Sequence, residues 1–225
     1  MLGSFRAASL NEIRVNRLLH RQPPPIPIAR LVSSSVRERS LTFEAVDGDP
    51  LGPKHPVSLA DRDVADLVDL ALALEPYRPR RRWFRRFDLD RRLGHHVAEQ
   101  LVSQSDAEAL QALARRTRLR YRFTHADITA RNVLRDRTGR LVLIDWEWAG
   151  LYPAGWELAF LWFSLADVPG ARAVVERAVP RWDEPHFLLS AVLIHLLHLH
   201  LWRNKPNPFL PRHQAVLHEL LQRVQ

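Results

Sequence analysis

His125, Asp127 and Asn132 stand at the spacing H-x-D-x-x-x-x-N, and Asp145 follows after a short stretch that reads as strand, turn, strand. A carboxylate at Asp127 is suited to accept the proton of, or to orient, an attacking hydroxyl. An Asn amide oxygen and an Asp carboxylate are hard oxygen ligands of the kind Mg²⁺ takes. Phosphoryl transfer from ATP calls for this combination, because its transition state spreads charge over oxygens that must be neutralised. Asn132 and Asp145 are therefore the candidate metal ligands and Asp127 the candidate base, with His125 holding the shape of the loop rather than doing chemistry.

These residues need a hairpin to bring them together. The apolar runs at 133–135 and 141–144 flank Asp136-Arg137-Thr138-Gly139, a turn sequence, so the chain should return beside its start and set Asp145 near Asn132. A strand is expected at 121–123 just before the loop, and several helices from Pro153 onward. Upstream, Ser9-Leu10-Asn11-Glu12 has the form of a capping box opening a helix that ends at Pro23-Pro24-Pro25. Runs at 28–32 and 41–46 read as an antiparallel strand pair closed by the turn Asp47-Gly48-Asp49-Pro50. Ser58 to Asp61 repeats the cap pattern before a helix through Leu74, and Ser105 to Glu108 caps another ending near Arg116. The order predicts an α+β chain: residues 1–52 as a small lobe of one helix and a strand pair, and 53–225 as a mainly helical lobe carrying the site, with the boundary near Pro50 to Pro56.

The bulk properties close some classes and leave others open. At 225 residues the chain can bury a sizeable core, and 33 Lys and Arg against 25 Asp and Glu give a net charge of +8. Lys54 and Lys205 are the only lysines. The absence of cysteine excludes disulfides, thiolate metal sites and a Cys nucleophile. Residues 1–10 lack the apolar core of a signal peptide, which makes the cytoplasm the default location. The apolar run at 187–202 holds three histidines and reads as a buried core helix, so no membrane association is expected.

The stretch Phe123-Thr124-His125-Ala126-Asp127 through Asn132-Val133-Leu134, then Leu143-Ile144-Asp145-Trp146-Glu147, resembles the catalytic loop and metal motif of aminoglycoside phosphotransferases and choline kinase-like enzymes. That family shares a protein kinase-like fold and usually has Gly where Ala126 stands. Protein kinases put Phe-Gly after the metal-binding Asp, whereas this chain has Trp146-Glu147. The resemblance implies an ATP- and Mg²⁺-dependent kinase acting on a small-molecule hydroxyl, with Asp127 as catalytic base and Asn132 and Asp145 on metal. Residues 152–159 are similar to the segment that anchors the helical lobe. Residues 41–46 resemble the strand leading to the interlobe hinge, which implies that Glu44, Ala45 and Val46 face adenine. The helix bearing Glu12 resembles the one that supplies a Glu partner to a strand lysine; a back-bond to the Ser9 amide is the other reading of that carboxylate. The family's glycine-rich loop and strand lysine are not matched: Gly3 is the only glycine before Gly48 and no lysine precedes Lys54. The expectation is a kinase shortened at its N-terminus by roughly three strands, with a degenerate kinase as the other reading.

Glu147, Trp148 and Glu157 are candidates for lining a pocket for a cationic acceptor, since carboxylates and indole faces attract ammonium groups; packing in the core is the alternative for the tryptophans, and a first-turn helix charge for Glu157. His195 and His198 share a helix face with no third ligand evident, and packing is favoured over metal. Arginines interleaved with Trp83, Phe84 and Phe87 between Arg78 and Arg92 raise a nucleic-acid-binding reading, against which Asp88 and Asp90 interrupt the run. An inactive kinase-like scaffold is the remaining alternative.

Overall fold

The computed structural model describes residues 2–80, 84–204, 206 and 209–225, with the side chains of 2–9 and of Trp182 outside the description. Arg81, Arg82 and Trp83, part of the arginine-rich stretch, lie outside the described residues. The chain is α+β, with small sheets in its first two thirds and a mainly helical remainder.

Helix α1 spans Leu2–Arg21. The expected capping box at Ser9 is therefore interior to the helix: Phe5-Arg6-Ala7-Ala8 offers no breaker, so the helix propagates through it. Strands β1 (Leu31–Ser35) and β2 (Ser40–Phe43) form the expected antiparallel pair, with Leu31 opposite Phe43. β1 lies three residues later than the apolar run suggested. Ile28 instead bridges Leu143 in parallel, so that run serves a different partner.

β3 (Gly48–Pro50), read from sequence as a turn, is an edge strand of the sheet β3-β5-β6, where β5 is Val133–Asp136 and β6 Leu141–Leu143. A proline is tolerated there because an edge position leaves one side of the strand without ladder bonds. The expected hairpin thus forms, with Val133 opposite Leu143. β4 (Tyr121–Thr124) pairs with β7 (Gly150–Pro153), a strand that no alternation pattern announces.

Helix α2 (Asp61–Leu74) buries Val64, Leu67, Val68, Ala71 and Leu74, a stripe at helical spacing. Its cap residue is Ala60 with no side-chain bond, so the Ser58 box is not formed. α3 (Leu89–Ala98) is capped by Asp88, which accepts from the Arg91 N–H. α4 (Gln104–Arg116) is capped by Ser103 rather than Ser105: its hydroxyl accepts from the Asp106 N–H at 3.1 Å. Both serines precede an acidic residue by three, and only the backbone start decides between them.

Helices α5 (Trp156–Ser164), α6 (Ala171–Ala178), α7 (Glu184–Trp202) and α8 (Leu210–Val224) complete the fold. α5 is buried on every face, and α7 nearly so. By length and composition α7 is apolar enough to cross a membrane; most of it is buried within the protein. A continuous apolar core runs from Val15 and Leu19 through α2, α4, α5 and α7 to Val224.

Candidate active site

The loop between β4 and β5 carries His125, Asp127 and Asn132, all buried at 7% exposure or less. The Asp127 N–H donates to His125 Nδ1 at 3.3 Å, so the ring proton sits on Nε2, which donates to the Ile144 carbonyl at 2.8 Å. Burial holds this imidazole down at about 4, which keeps it neutral. His125 ties the loop to the strand that ends at the metal motif. Asn132 Nδ2 donates to both the Asp127 carbonyl and Asp127 Oδ2, each at 3.0 Å. With its nitrogen so committed, Asn132 has Oδ1 left as an acceptor. The Ile144 N–H donates to the Asn132 carbonyl at 3.0 Å, which brings Asp145 beside Asn132 across the hairpin.

Two residues of the site adopt left-handed backbone: Ala126 at φ 68° and Asp145 at φ 66°. An L-residue pays about 1–2 kcal/mol for that conformation, which gives a physical reason for glycine at the position of Ala126 in the resembling family. For Asp145 the twist ends β6 and leaves the carboxylate exposed.

Residues 44–46 link β2 to β3. Glu44 and Val46 line a cavity of about 330 Å³ whose walls also include Glu12, Phe43, Leu134 and Asp145; Ala45 lines a neighbouring hollow with Glu44 and Val46. Glu12, placed mid-helix, faces this cavity. Burial first, then the charges of Asp145 and Glu147, push its carboxyl up to about 7. Glu147 is raised by burial and by Asp145 as well. The cleft thus gathers carboxylates in excess, an arrangement that a divalent cation would relieve. Asn132 and Asp145 fit Mg²⁺, which keeps waters and takes substrate oxygens rather than a full protein cage. Among the described residues no group of three His, Asp, Glu or Cys could hold a metal. His195 and His198 spend their Nδ1 atoms on the Ala191 and Ile194 carbonyls within α7.

Glu157 is placed differently from the expectation. At 3% exposure it lines no open pocket; its Oε1 accepts from the His125 and Ala126 N–H groups, the latter at 3.1 Å, and burial pushes it up to about 8. It positions the loop. Trp148 is 51% exposed and, with Glu147, borders a second cavity.

Lys54 is the site residue that sequence reasoning missed. Its Nζ lies 2.9 Å from Asp127 Oδ1 and 3.2 Å from Oδ2. The segment that carries it docks on the loop between β4 and β5, where the Leu51 N–H donates to Val133 O at 3.0 Å and the Gly52 N–H to Ala130 O at 3.3 Å. One signal was available: lysine is nearly absent from a chain rich in arginine.

The sequence profile of the phosphotransferase enzyme family (APH) matches residues 3–188. A search of curated proteins returned no significant match. The fold resembles a choline/ethanolamine kinase family protein from Mesorhizobium loti, with TM-score 0.67 and 13% identity over 96% of this chain and 84% of that one. It also resembles choline kinase LicA from Streptococcus pneumoniae, with TM-score 0.62 and 13% identity over 96% and 80%. The GDP and kanamycin complex of APH(2")-IIia aligns with TM-score 0.60 and 17% identity over 96% and 83%. A kinase-like fold, a 125–132 loop held by Glu157 and His125, and a profile match over most of the chain lead to one statement: this chain belongs to the phosphotransferase enzyme family.

Proposed function

We propose that the protein transfers the γ-phosphoryl group of ATP to a hydroxyl of a small molecule, with Mg²⁺ at Asn132 and Asp145. The observation that carries this reading is the cavity shared by Glu44, Val46 and Asp145. Its apolar walls suit a planar base, and a metal-ligand carboxylate stands at its rim.

The acceptor oxygen bonds to the γ phosphorus, the bond to the β–γ bridging oxygen breaks, ADP leaves, and the hydroxyl proton passes to Asp127. Mg²⁺, when bound, supplies charge neutralisation on the phosphate oxygens. Asn132 fixes the Asp127 carboxylate through Nδ2, and His125 and Glu157 fix the backbone that bears it. Lys54 adds a positive charge at the same carboxylate. The fold relatives include a choline kinase and a protein complexed with GDP and kanamycin, which supports nucleotide and small-molecule ligands here.

An inactive kinase-like scaffold is the second reading, favoured by Lys54 occupying both oxygens of Asp127. Thermal unfolding with and without MgATP, paired with an ATP-turnover assay, tests the proposal. The wild type should gain several degrees at saturating MgATP and Asp145→Ala should gain none. A shift without turnover selects the scaffold, and neither shift nor turnover refutes nucleotide chemistry altogether.

A further inference from the structure

Bordered by the segment that follows Asp145, a cavity of about 310 Å³ is lined by Arg85, Arg91, Arg92, Glu147, Trp148 and Tyr152, with Arg86 and Asp88 also on its wall. Glu147 connects it to the reaction centre, since this carboxylate lies within electrostatic reach of both Asp145 and Asp127. The cavity is large enough for a small metabolite, and Glu147 on its wall is the group that links it to the proposed base.

Its charge is the informative property. Asp88 is spent on capping α3 and on Arg91, 3.8 Å away. Arg86 lays its guanidinium over Tyr121 at 4.0 Å. Arg85 and Arg92 both act electrostatically on the Tyr152 hydroxyl, which donates to the Trp148 carbonyl at 3.0 Å. Among the described residues, neither Arg85 nor Arg92 forms an ion pair with a carboxylate. Guanidinium groups present planar forks that match phosphate or carboxylate oxygens. Glu157, which was expected to attract a cation here, is buried against the catalytic loop instead.

On the proposed kinase reading, on which this inference rests, we infer that the phosphoryl acceptor is anionic: a small polyol bearing a phosphate or a carboxylate. The anionic group sits between Arg85 and Arg92, the carbon skeleton lies against the exposed Trp148 indole, and a hydroxyl points past Glu147 toward Asp127.

Matched acceptors test the inference in a phosphotransfer assay with MgATP: glucose, glucose 6-phosphate and glucuronate; glycerol, glycerol 3-phosphate and glycerate; and choline and kanamycin as cations. The expected result is a kcat/KM for at least one anionic member about tenfold or more above its neutral parent, the effect of one charge-assisted hydrogen bond. Preference within the anionic pairs distinguishes phosphate from carboxylate. The double variant Arg85→Glu/Arg92→Glu, or Arg85→Gln/Arg92→Gln if the first folds poorly, should raise KM for that acceptor about tenfold with the MgATP thermal shift retained. Transfer only to neutral or cationic members, or to none, overturns the anionic acceptor while the MgATP shift leaves nucleotide binding standing. Salt-sensitive binding of a single-stranded oligonucleotide, with no preference for anionic acceptors, also overturns it. Loss of the MgATP shift in the wild type refutes the kinase reading itself.

Discussion

Asp127 is held by three neighbours that do different work. Asn132 bonds its carboxylate and its carbonyl, His125 bonds its amide, and Lys54 meets both of its oxygens. If Lys54 orients the Asp127 carboxylate, Lys54→Met should lower kcat by about ten- to a hundredfold and leave the MgATP thermal shift intact. An unchanged kcat with an altered ATP affinity would assign Lys54 to nucleotide binding instead. Glu157 gives a stability prediction. Burial lifts its carboxyl from 4.5 to about 8, so the folded state retains a proton that the unfolded chain has released. Stability from this site is complete below 4.5 and is lost as the pH climbs to about 8. Glu157→Gln keeps an acceptor for the two backbone amides and removes the titration. The thermal midpoint of the wild type relative to that of the variant should therefore fall by a few degrees between pH 4.5 and about pH 8. Parallel curves would show that Glu157 does not titrate in that window. That His125, Asp127 and Asn132 meet was readable because their spacing is local; Lys54 was not, because nothing in a single lysine announces a partner 73 residues away.

At the scale of elements, the hairpin β5-β6 is where pattern and structure agree, since apolar runs on either side of a turn sequence leave the pairing little choice. β3 and β7 are short, and each becomes a strand only because another strand is present to pair with it: β5 for the first and β4 for the second. The helix starts show the same division. The S-x-x-E and S-x-x-D patterns at Ser9, Ser58 and Ser105 misled, while Ser103 and Asp88 cap. A cap forms where the chain can leave extended backbone, and tertiary packing sets that point. Gly155 tests how tightly one such junction is built. It stands at φ 76° ahead of α5, and a Cβ there would lie 3.1 Å from the Phe187 backbone in α7. Gly155→Ala should cost about 2 kcal/mol or more from left-handed strain and this contact together. Because Trp156 and Glu157 follow directly, it should also slow phosphotransfer. A thermal scan and an activity assay on one preparation check both effects, and an unshifted midpoint would mean that α5 and α7 can separate at this point without cost.

Across the whole molecule, the helical part is organised on aromatic and histidine side chains. Phe163 packs against His198 at 4.2 Å and His213 at 4.8 Å, and His195 meets it edge-on at 5.0 Å. Burial holds His195 down at about 3 and His198 and His213 at about 4. For a base depressed from 6.5, stability is present above that value and is lost as the pH falls toward the folded value. The urea midpoint should thus drop between about pH 7.5 and pH 5, and His198→Phe, which keeps an aromatic ring in the cluster, should reduce the drop. A wild-type midpoint equal at both values would rule out this source of acid lability. Glu157 acts in the opposite direction, and because its range from 4.5 to about 8 overlaps that of the histidines, maximal stability should lie where the opposing slopes cancel. The sequence by itself determined the grouping of His125, Asp127 and Asn132 on one loop, the hairpin and the apolar helix α7, because those depend on neighbours within a few residues or on bulk hydrophobicity. Only the tertiary structure decided that Lys54 meets Asp127, that Glu157 turns inward to hold the loop, and that Arg85 and Arg92 share a cavity with Trp148. Those arrangements join segments far apart in the chain, where long-range packing rather than local spacing sets which groups meet.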